Sequence, residues 1–171
     1  MIRIIGIDPG SRVTGYGVVD TDGFRHKYVT SGFIQIKADT LGDKLGIIFA
    51  EVGKIVTIWK PESMAIEQVF VKRNVDSALK LGQARGAAIC AAVQADLPIG
   101  EYSPRAIKKA VVGSGAADKQ QIQHMIQRLL GLDSLPQSDE ADALAIAICH
   151  AHHVRIRSTG VATGTRRGRW V

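Results

Sequence analysis

The chain has 171 residues, 46% of them apolar, and a formal net charge of +6; that is enough apolar content for one buried core and a single domain. No apolar run reaches the roughly 18 residues of a membrane span, and the composition excludes disorder over most of the length. The charge is uneven: residues 155–171 hold Arg155, Arg157, Arg166, Arg167 and Arg169 and no acid, so a nearly neutral body at 1–154 precedes a basic tail at 155–171 suited to nonspecific phosphate contact.

Taken in order, Ile2–Asp8 is a short apolar run that reads as a buried strand, and Pro9-Gly10-Ser11 is turn material. Thr14–Asp20 and Tyr28–Lys37 are expected as further strands, with Asp22-Gly23 marking the hairpin turn between them. Leu41–Trp59 places Leu45, Ile48, Phe49, Val52, Ile55, Val56 and Trp59 at a helical period, and Lys60-Pro61 ends it. Ser63–Gln68 reads as a buried strand, Asp76–Ala95 as a second helix and Ile99–Tyr102 as a fifth strand. Ser103 caps a third helix opened by Pro104 and running to Val112, and Gly113-Ser114-Gly115 then breaks the pattern as a turn. Lys119–Leu130 is helical again until Gly131, and Ser138 is the expected N-cap of a last helix, Asp139–His153, with acids in its first turn. This order predicts an α/β domain: a mixed five-stranded sheet, three antiparallel strands then two parallel, with helices on both faces. Cys90 and Cys149 fall in alanine-rich helical stretches and read as small core hydrophobes in a reducing, cytoplasmic setting. Met1-Ile2-Arg3-Ile4 enters the first strand with no leader pattern.

Four carboxylates carry the chemistry. Asp8 and Glu67 sit where two short buried strands run out, so they are expected to project from one sheet edge. Asp139 and Asp142 are spaced i, i+3, which puts both on one face of the last helix. Four acids gathered at one place repel each other and resist desolvation unless a strong positive charge lies among them. A pair of Mg²⁺ ions about 4 Å apart answers that need, and Mn²⁺ accepts the same all-oxygen site. A basic protein holding an acidic metal pocket is the pattern of a nuclease.

Longer runs are more specific. Gly6-Ile7-Asp8-Pro9-Gly10-Ser11-Arg12-Val13-Thr14-Gly15-Tyr16-Gly17, Ala65-Ile66-Glu67-Gln68-Val69-Phe70, Ala78-Leu79-Lys80-Leu81-Gly82-Gln83-Ala84-Arg85-Gly86 and Ala141-Asp142-Ala143-Leu144-Ala145 resemble the RuvC family of bacterial Holliday-junction resolvases, within the ribonuclease H-like superfamily. The resemblance covers about residues 1–153. It implies a homodimer that binds four-way DNA junctions and nicks two strands of like polarity symmetrically, leaving 5′-phosphate and 3′-hydroxyl ends, alongside the RuvAB branch-migration machinery. It also implies Asp8, Glu67, Asp139 and Asp142 as the catalytic, metal-holding acids. Two departures stand out: Glu140 adds a carboxylate where a small residue is common, and the tail is longer and more basic than the resemblance leads one to expect.

Other signals fall around that core. Lys108, Lys109 and Lys119 flank the glycine break, and Lys119 begins a helix, where backbone N–H groups favour anions; the resemblance implies that Lys108 and Lys119 grip the scissile phosphate. Phe70, followed by Lys72 and Arg73, suits stacking on an unpaired base beside DNA phosphates. The small residues Ala78, Gly82 and Gly86 of the second helix need a packing reason, because glycine inside a helix costs about 1 kcal/mol; by resemblance that helix lies at the dimer interface. Cys149-His150-Ala151-His152-His153 invites a zinc reading, but a helix C-terminus also favours histidine and no second ligand cluster is evident. Sugar-kinase and actin-like ATPases begin with a similar strand, Asp and glycine turn, yet their second lobe exceeds this length. Another ribonuclease H-like nuclease and a non-catalytic junction-binding module are the alternatives to a resolvase.

Overall fold

The computed structural model describes residues 1–69 and 75–158, with side chains to residue 154. Ten elements follow in chain order: β1 (Ile2–Asp8), β2 (Val13–Thr21), β3 (His26–Gln35), α1 (Leu41–Trp59), β4 (Ser63–Glu67), α2 (Val75–Gln94), β5 (Ile99–Tyr102), α3 (Pro104–Val112), α4 (Lys119–Leu130) and α5 (Ser138–Ser158). The strands form one sheet in the order β3-β2-β1-β4-β5. β1 pairs antiparallel with β2, and β2 with β3, whereas β4 runs parallel to β1 and β5 parallel to β4. The expected sheet of three antiparallel and two parallel strands is therefore present.

Alternation along the strands sorts the core into two layers. Ile4 and Ala65 face α3, α4 and α5, whereas Ile5, Ile7, Met64 and Ile66 face α1 and α2. The termini follow local chemistry. Thr40 accepts a hydrogen bond from the Asp43 N–H at the start of α1, and Asp118 with Gln121 forms a capping box on α4. Gly113 and Gly131 take the left-handed conformation that closes α3 and α4. At the β2–β3 turn Asp22 Oδ1 accepts from the N–H groups of Phe24 and Arg25, and Gly23 takes a positive φ.

α5 is apolar nearly all round, with Ala141, Ala143, Leu144, Ala145, Ile146, Ala147 and Ile148 buried. Such a helix belongs inside, and it lies between the sheet and α3 with α4. Its small residues let it lie very close to the strands. A Cβ on Gly6 would fall 2.1 Å from the Ala143 carbonyl oxygen, and one on Gly15 would fall 2.2 Å from that of Asp139. The helix also runs on to Ser158, past the point at which the basic tail was expected to begin.

Candidate active site

The position of each acid follows from strand parity and these glycine contacts. On β1, Ile4 and Gly6 face α5, so Asp8, two residues further, faces it as well. On β4, Ala65 faces α5 and Glu67 follows by the same period. Ile7 pairs with Ile66 in the parallel ladder, so Asp8 and Glu67 end adjacent strands side by side. Gly15 is paired with Asp8 across β1 and β2, and the Asp139 backbone rests on Gly15. The missing side chain at Gly15 is what allows the first turn of α5 to reach Asp8.

A cavity of about 220 Å³ opens there, lined by Asp8, Glu67 and Asp142 together with Lys108 and Lys119. Ile107, Ile122 and Ile146 supply an apolar wall. Burial pushes the Asp8 carboxyl up to about 8 from an ordinary 3.8; the charges of Asp142, Glu67 and Asp139 add to the shift and Lys119 opposes it. Burial also raises Asp142, although Lys119 and Lys108 pull in the other direction. Lys119 Nζ lies 3.4 Å from Asp142 Oδ2 and 3.4 Å from Ser138 Oγ. Asp139 is not among the lining residues, yet its charge acts on Asp8.

Desolvated oxygen donors in excess of nearby cations are the chemistry of a hard divalent ion. Among the described residues no three Asp, Glu, His or Cys groups are drawn close enough to enclose one ion as they stand. Ligation would therefore turn the side chains inward. Carboxylates on two strand ends and the first turn of a helix have the rotamer freedom to do so.

The family model for crossover junction endodeoxyribonuclease RuvC matches residues 4–150. The chain belongs to the RuvC family. The Vibrio cholerae crossover junction endodeoxyribonuclease RuvC is 56% identical over 172 residues, and that of Tolumonas auensis is 53% identical over 171, each match covering 99% of both chains. T. thermophilus RuvC in complex with a Holliday junction substrate superposes with a TM-score of 0.86 at 34% identity, covering 92% of this chain and 98% of that one. The fold is accordingly the ribonuclease H-like fold of RuvC, and the family's activity is that of an endonuclease.

Other residues singled out in the RuvC-like words divide. Lys108 and Lys119 meet at the cavity, whereas Lys109, next along α3, is exposed and lies outside its lining. Phe70, Lys72 and Arg73 lie outside the described residues. Glu140 turns back on its own helix start, where it accepts from the Gln137 N–H at 3.2 Å. On α2, Ala78 and Gly86 are half-buried and Gly82 exposed, and a Cβ at Gly82 or Gly86 would meet nothing within 4 Å among the described residues. Packing among the described residues thus gives no reason for those two glycines. Leu79 and Val93 flank them at 61% and 59% exposure. Cys90 is exposed too, which corrects the reading of both cysteines as core: it follows Gly86 by one turn on the helix face turned from the sheet. Cys149 is buried and its thiol is pushed up to about 12.

The histidines near Cys149 have structural partners. His150 bridges the Tyr102 hydroxyl at 2.8 Å and Ser63 Oγ at 3.2 Å, and His152 Nε2 lies 3.3 Å from His26 Nε2. Arg85, to which the sequence pattern assigns no role, donates from Nε to the Glu67 carbonyl at 2.9 Å and pairs with Glu101. An arginine among the small residues of α2 was the available signal.

Proposed function

We propose that the chain resolves four-way DNA junctions by divalent-metal-dependent hydrolysis, with Asp8, Glu67, Asp139 and Asp142 as the metal-holding acids. The observation that carries this reading is one cavity joining the desolvated Asp8 to Glu67, Asp142, Lys108 and Lys119. Two Mg²⁺ ions bound there, or Mn²⁺ in their place, would activate the attacking water and stabilise the leaving oxygen. Asp8, on the central strand and beside both neighbours, is the acid suited to face both ions.

The remaining parts act through their own chemistry. Lys119 and Lys108 bring positive charge to the mouth of an acidic cavity, where they hold the scissile phosphate against the repulsion of the carboxylates. Lys119 further offsets charge developing on the phosphate oxygens. Ile107, Ile122 and Ile146 exclude water on one side, which strengthens each of these interactions. Phe70, Lys72 and Arg73 lie within six residues of Glu67 in sequence, which suits contact with bases and phosphates beside the cut. The products are 5′-phosphate and 3′-hydroxyl ends.

The T. thermophilus relative was studied with a Holliday junction substrate, and junction DNA is the substrate we carry over. A homodimer through the Ala78, Gly82 and Gly86 face of α2 would set two such sites about a two-fold axis, matching paired incisions on a two-fold junction. Action with RuvAB in the bacterial cytoplasm fits this reading; no helix among the described residues is long and apolar enough to cross a membrane. The test is cleavage of a synthetic mobile four-way junction beside linear duplex and RNA–DNA hybrid, with Mg²⁺ or EDTA. Paired, ligatable nicks on the junction alone, lost in EDTA, are expected. Cutting of the hybrid instead would make the chain a ribonuclease H, and binding without cutting would leave a junction-binding module.

A further inference from the structure

We infer that Arg85 is a positioning residue that sets the divalent-ion affinity of the site by fixing the backbone of Glu67 from the opposite face of the sheet. Glu67 is the last residue of β4, and its carboxylate projects to the α5 side. Its carbonyl oxygen accepts from Arg85 Nε at 2.9 Å. The same guanidinium pairs through Nη2 with Glu101 Oε2 on β5. Glu101 is paired with Ile66, whose side chain packs on the α1 and α2 layer, so Arg85 and Glu101 meet on that side. The cavity lies on the other side. Arg85 is not among the residues lining the cavity, and its link to Glu67 runs through the strand backbone.

The placement matters because β4 ends here. Just beyond Glu67 the Gln68 N–H donates to the Tyr102 carbonyl at 2.8 Å, continuing the ladder to β5. A planar guanidinium joining a strand-end carbonyl to a carboxylate on the next strand locks both against rotation, which a point-charge lysine cannot do in two directions at once. The Arg85 side chain is 19% exposed and its bond to the Glu67 carbonyl is partly buried, whereas the Glu101 carboxylate reaches solvent. It also belongs to the helix that carries Gly82 and Gly86. Residues that orient a metal-holding side chain typically change metal affinity or activity by about 10–100-fold when lost.

The inference rests on Glu67 as a metal-holding acid, and the experiment separates the two. Wild type, Arg85→Ala, Arg85→Lys, Glu101→Gln and Glu67→Gln, each as the full chain, are titrated with Mg²⁺. The readouts are the Mg²⁺-induced rise in melting temperature without DNA, the half-saturating Mg²⁺ for junction cleavage, junction binding in EDTA and sedimentation. Arg85→Ala is expected to raise half-saturating Mg²⁺ by about tenfold and to shrink the Mg²⁺-induced shift. Arg85→Lys and Glu101→Gln should fall in between, with binding in EDTA and dimer mass unchanged. A lower melting temperature in EDTA with an unaltered Mg²⁺ requirement, in Arg85→Ala or in the milder pair if the alanine variant does not fold, would make Arg85 merely structural. If Glu67→Gln shifts the Mg²⁺ requirement and no Arg85 or Glu101 variant does, the inference alone falls. An unchanged Mg²⁺ requirement in Glu67→Gln would overturn the ligand reading and the inference with it.

Discussion

Replacing Asp8 with Asn should stabilise the metal-free protein at alkaline pH while abolishing cleavage. Burial and three neighbouring acids hold the Asp8 carboxyl at about 8 in the fold, against 3.8 ordinarily. A raised acid pKa means that the fold prefers the protonated form. The resulting penalty is absent below the unfolded value, grows as pH rises, and is complete above about 8. Each pKa unit is worth about 1.4 kcal/mol, so the full penalty is of order 5 kcal/mol, and roughly 3 kcal/mol of it develops between pH 6 and pH 9. Asparagine has nearly the same shape and no charge, so its variant lacks this dependence. Urea denaturation in EDTA at fixed protein concentration measures it directly. At the usual urea slopes of about 1–3 kcal/mol per molar, the wild-type midpoint should fall by at least roughly 1 M relative to the variant between those pH values. Mg²⁺ at pH 8 should recover the wild-type loss and leave the variant unmoved, while junction binding persists without nicking. Parallel pH profiles for the two proteins in EDTA would refute the placement of Asp8 in a desolvated acidic cavity. Loss of binding together with cutting would instead make Asp8 structural.

Other perturbations probe the parts around it. Gly15→Ala puts a Cβ 2.2 Å from the Asp139 carbonyl oxygen, so α5 must move; a loss of about 1–3 kcal/mol in thermal or urea melts and about 100-fold slower nicking are expected. Lys119→Ala removes the cation 3.4 Å from Asp142. It should lower single-turnover cleavage by about 100-fold or more, with junction affinity in EDTA much less affected. The Asp142 carboxyl should also rise further, moving the acid limb of the pH–rate profile to higher pH. A Cβ at Gly86 meets nothing within 4 Å among the described residues, so Gly86→Leu should fold normally yet sediment as a monomer; an unchanged dimer would move the interface elsewhere.

The strands and helices were readable because two periodicities are clean in this chain. α1, β1, β5, α3 and α4 begin and end where apolar spacing and caps predict. β3 is displaced toward its N-terminus, His26–Gln35 against an expected Tyr28–Lys37, because pairing with β2 and the tight Asp22-Gly23 turn set its start. Asp8 and Glu67 were readable as a pair since both close runs of buried strand residues. What the sequence could not disclose was depth. Nothing in the spacing of Gly6 and Gly15 reveals that α5 rests directly on their backbone, and that contact is what carries Asp139 and Asp142 to the strand ends. Arg85 escaped for a related reason: an arginine among small residues marks the position, but its bond to Glu67 goes to a backbone carbonyl, which residue identity does not encode. Cys90 was misjudged because an alanine-rich helix reads as core on every face, while this one has a face turned from the sheet.

The two faces of the sheet thus have different burdens. The α5 face holds the acids, where tight packing on glycine and an apolar wall raise the energetic cost of charge. The α1 and α2 face is free of that constraint, and its outer helix carries small residues, Leu79 and Val93 at the surface. A substrate with two-fold symmetry needs two acidic cavities at a fixed spacing, which a self-complementary helix face can provide only if that helix is held rigidly to the strands ending at the cavities. The Arg85 bonds to Glu67 and Glu101 are one such attachment, crossing from α2 to the ends of β4 and β5. If so, loosening them should lower the coupling between the two incisions more than the first incision itself. A cruciform plasmid measures this directly: nicked circles should accumulate ahead of linear product in Arg85→Lys at saturating Mg²⁺. Equal retardation of both cuts would mean that the two sites are held by other contacts.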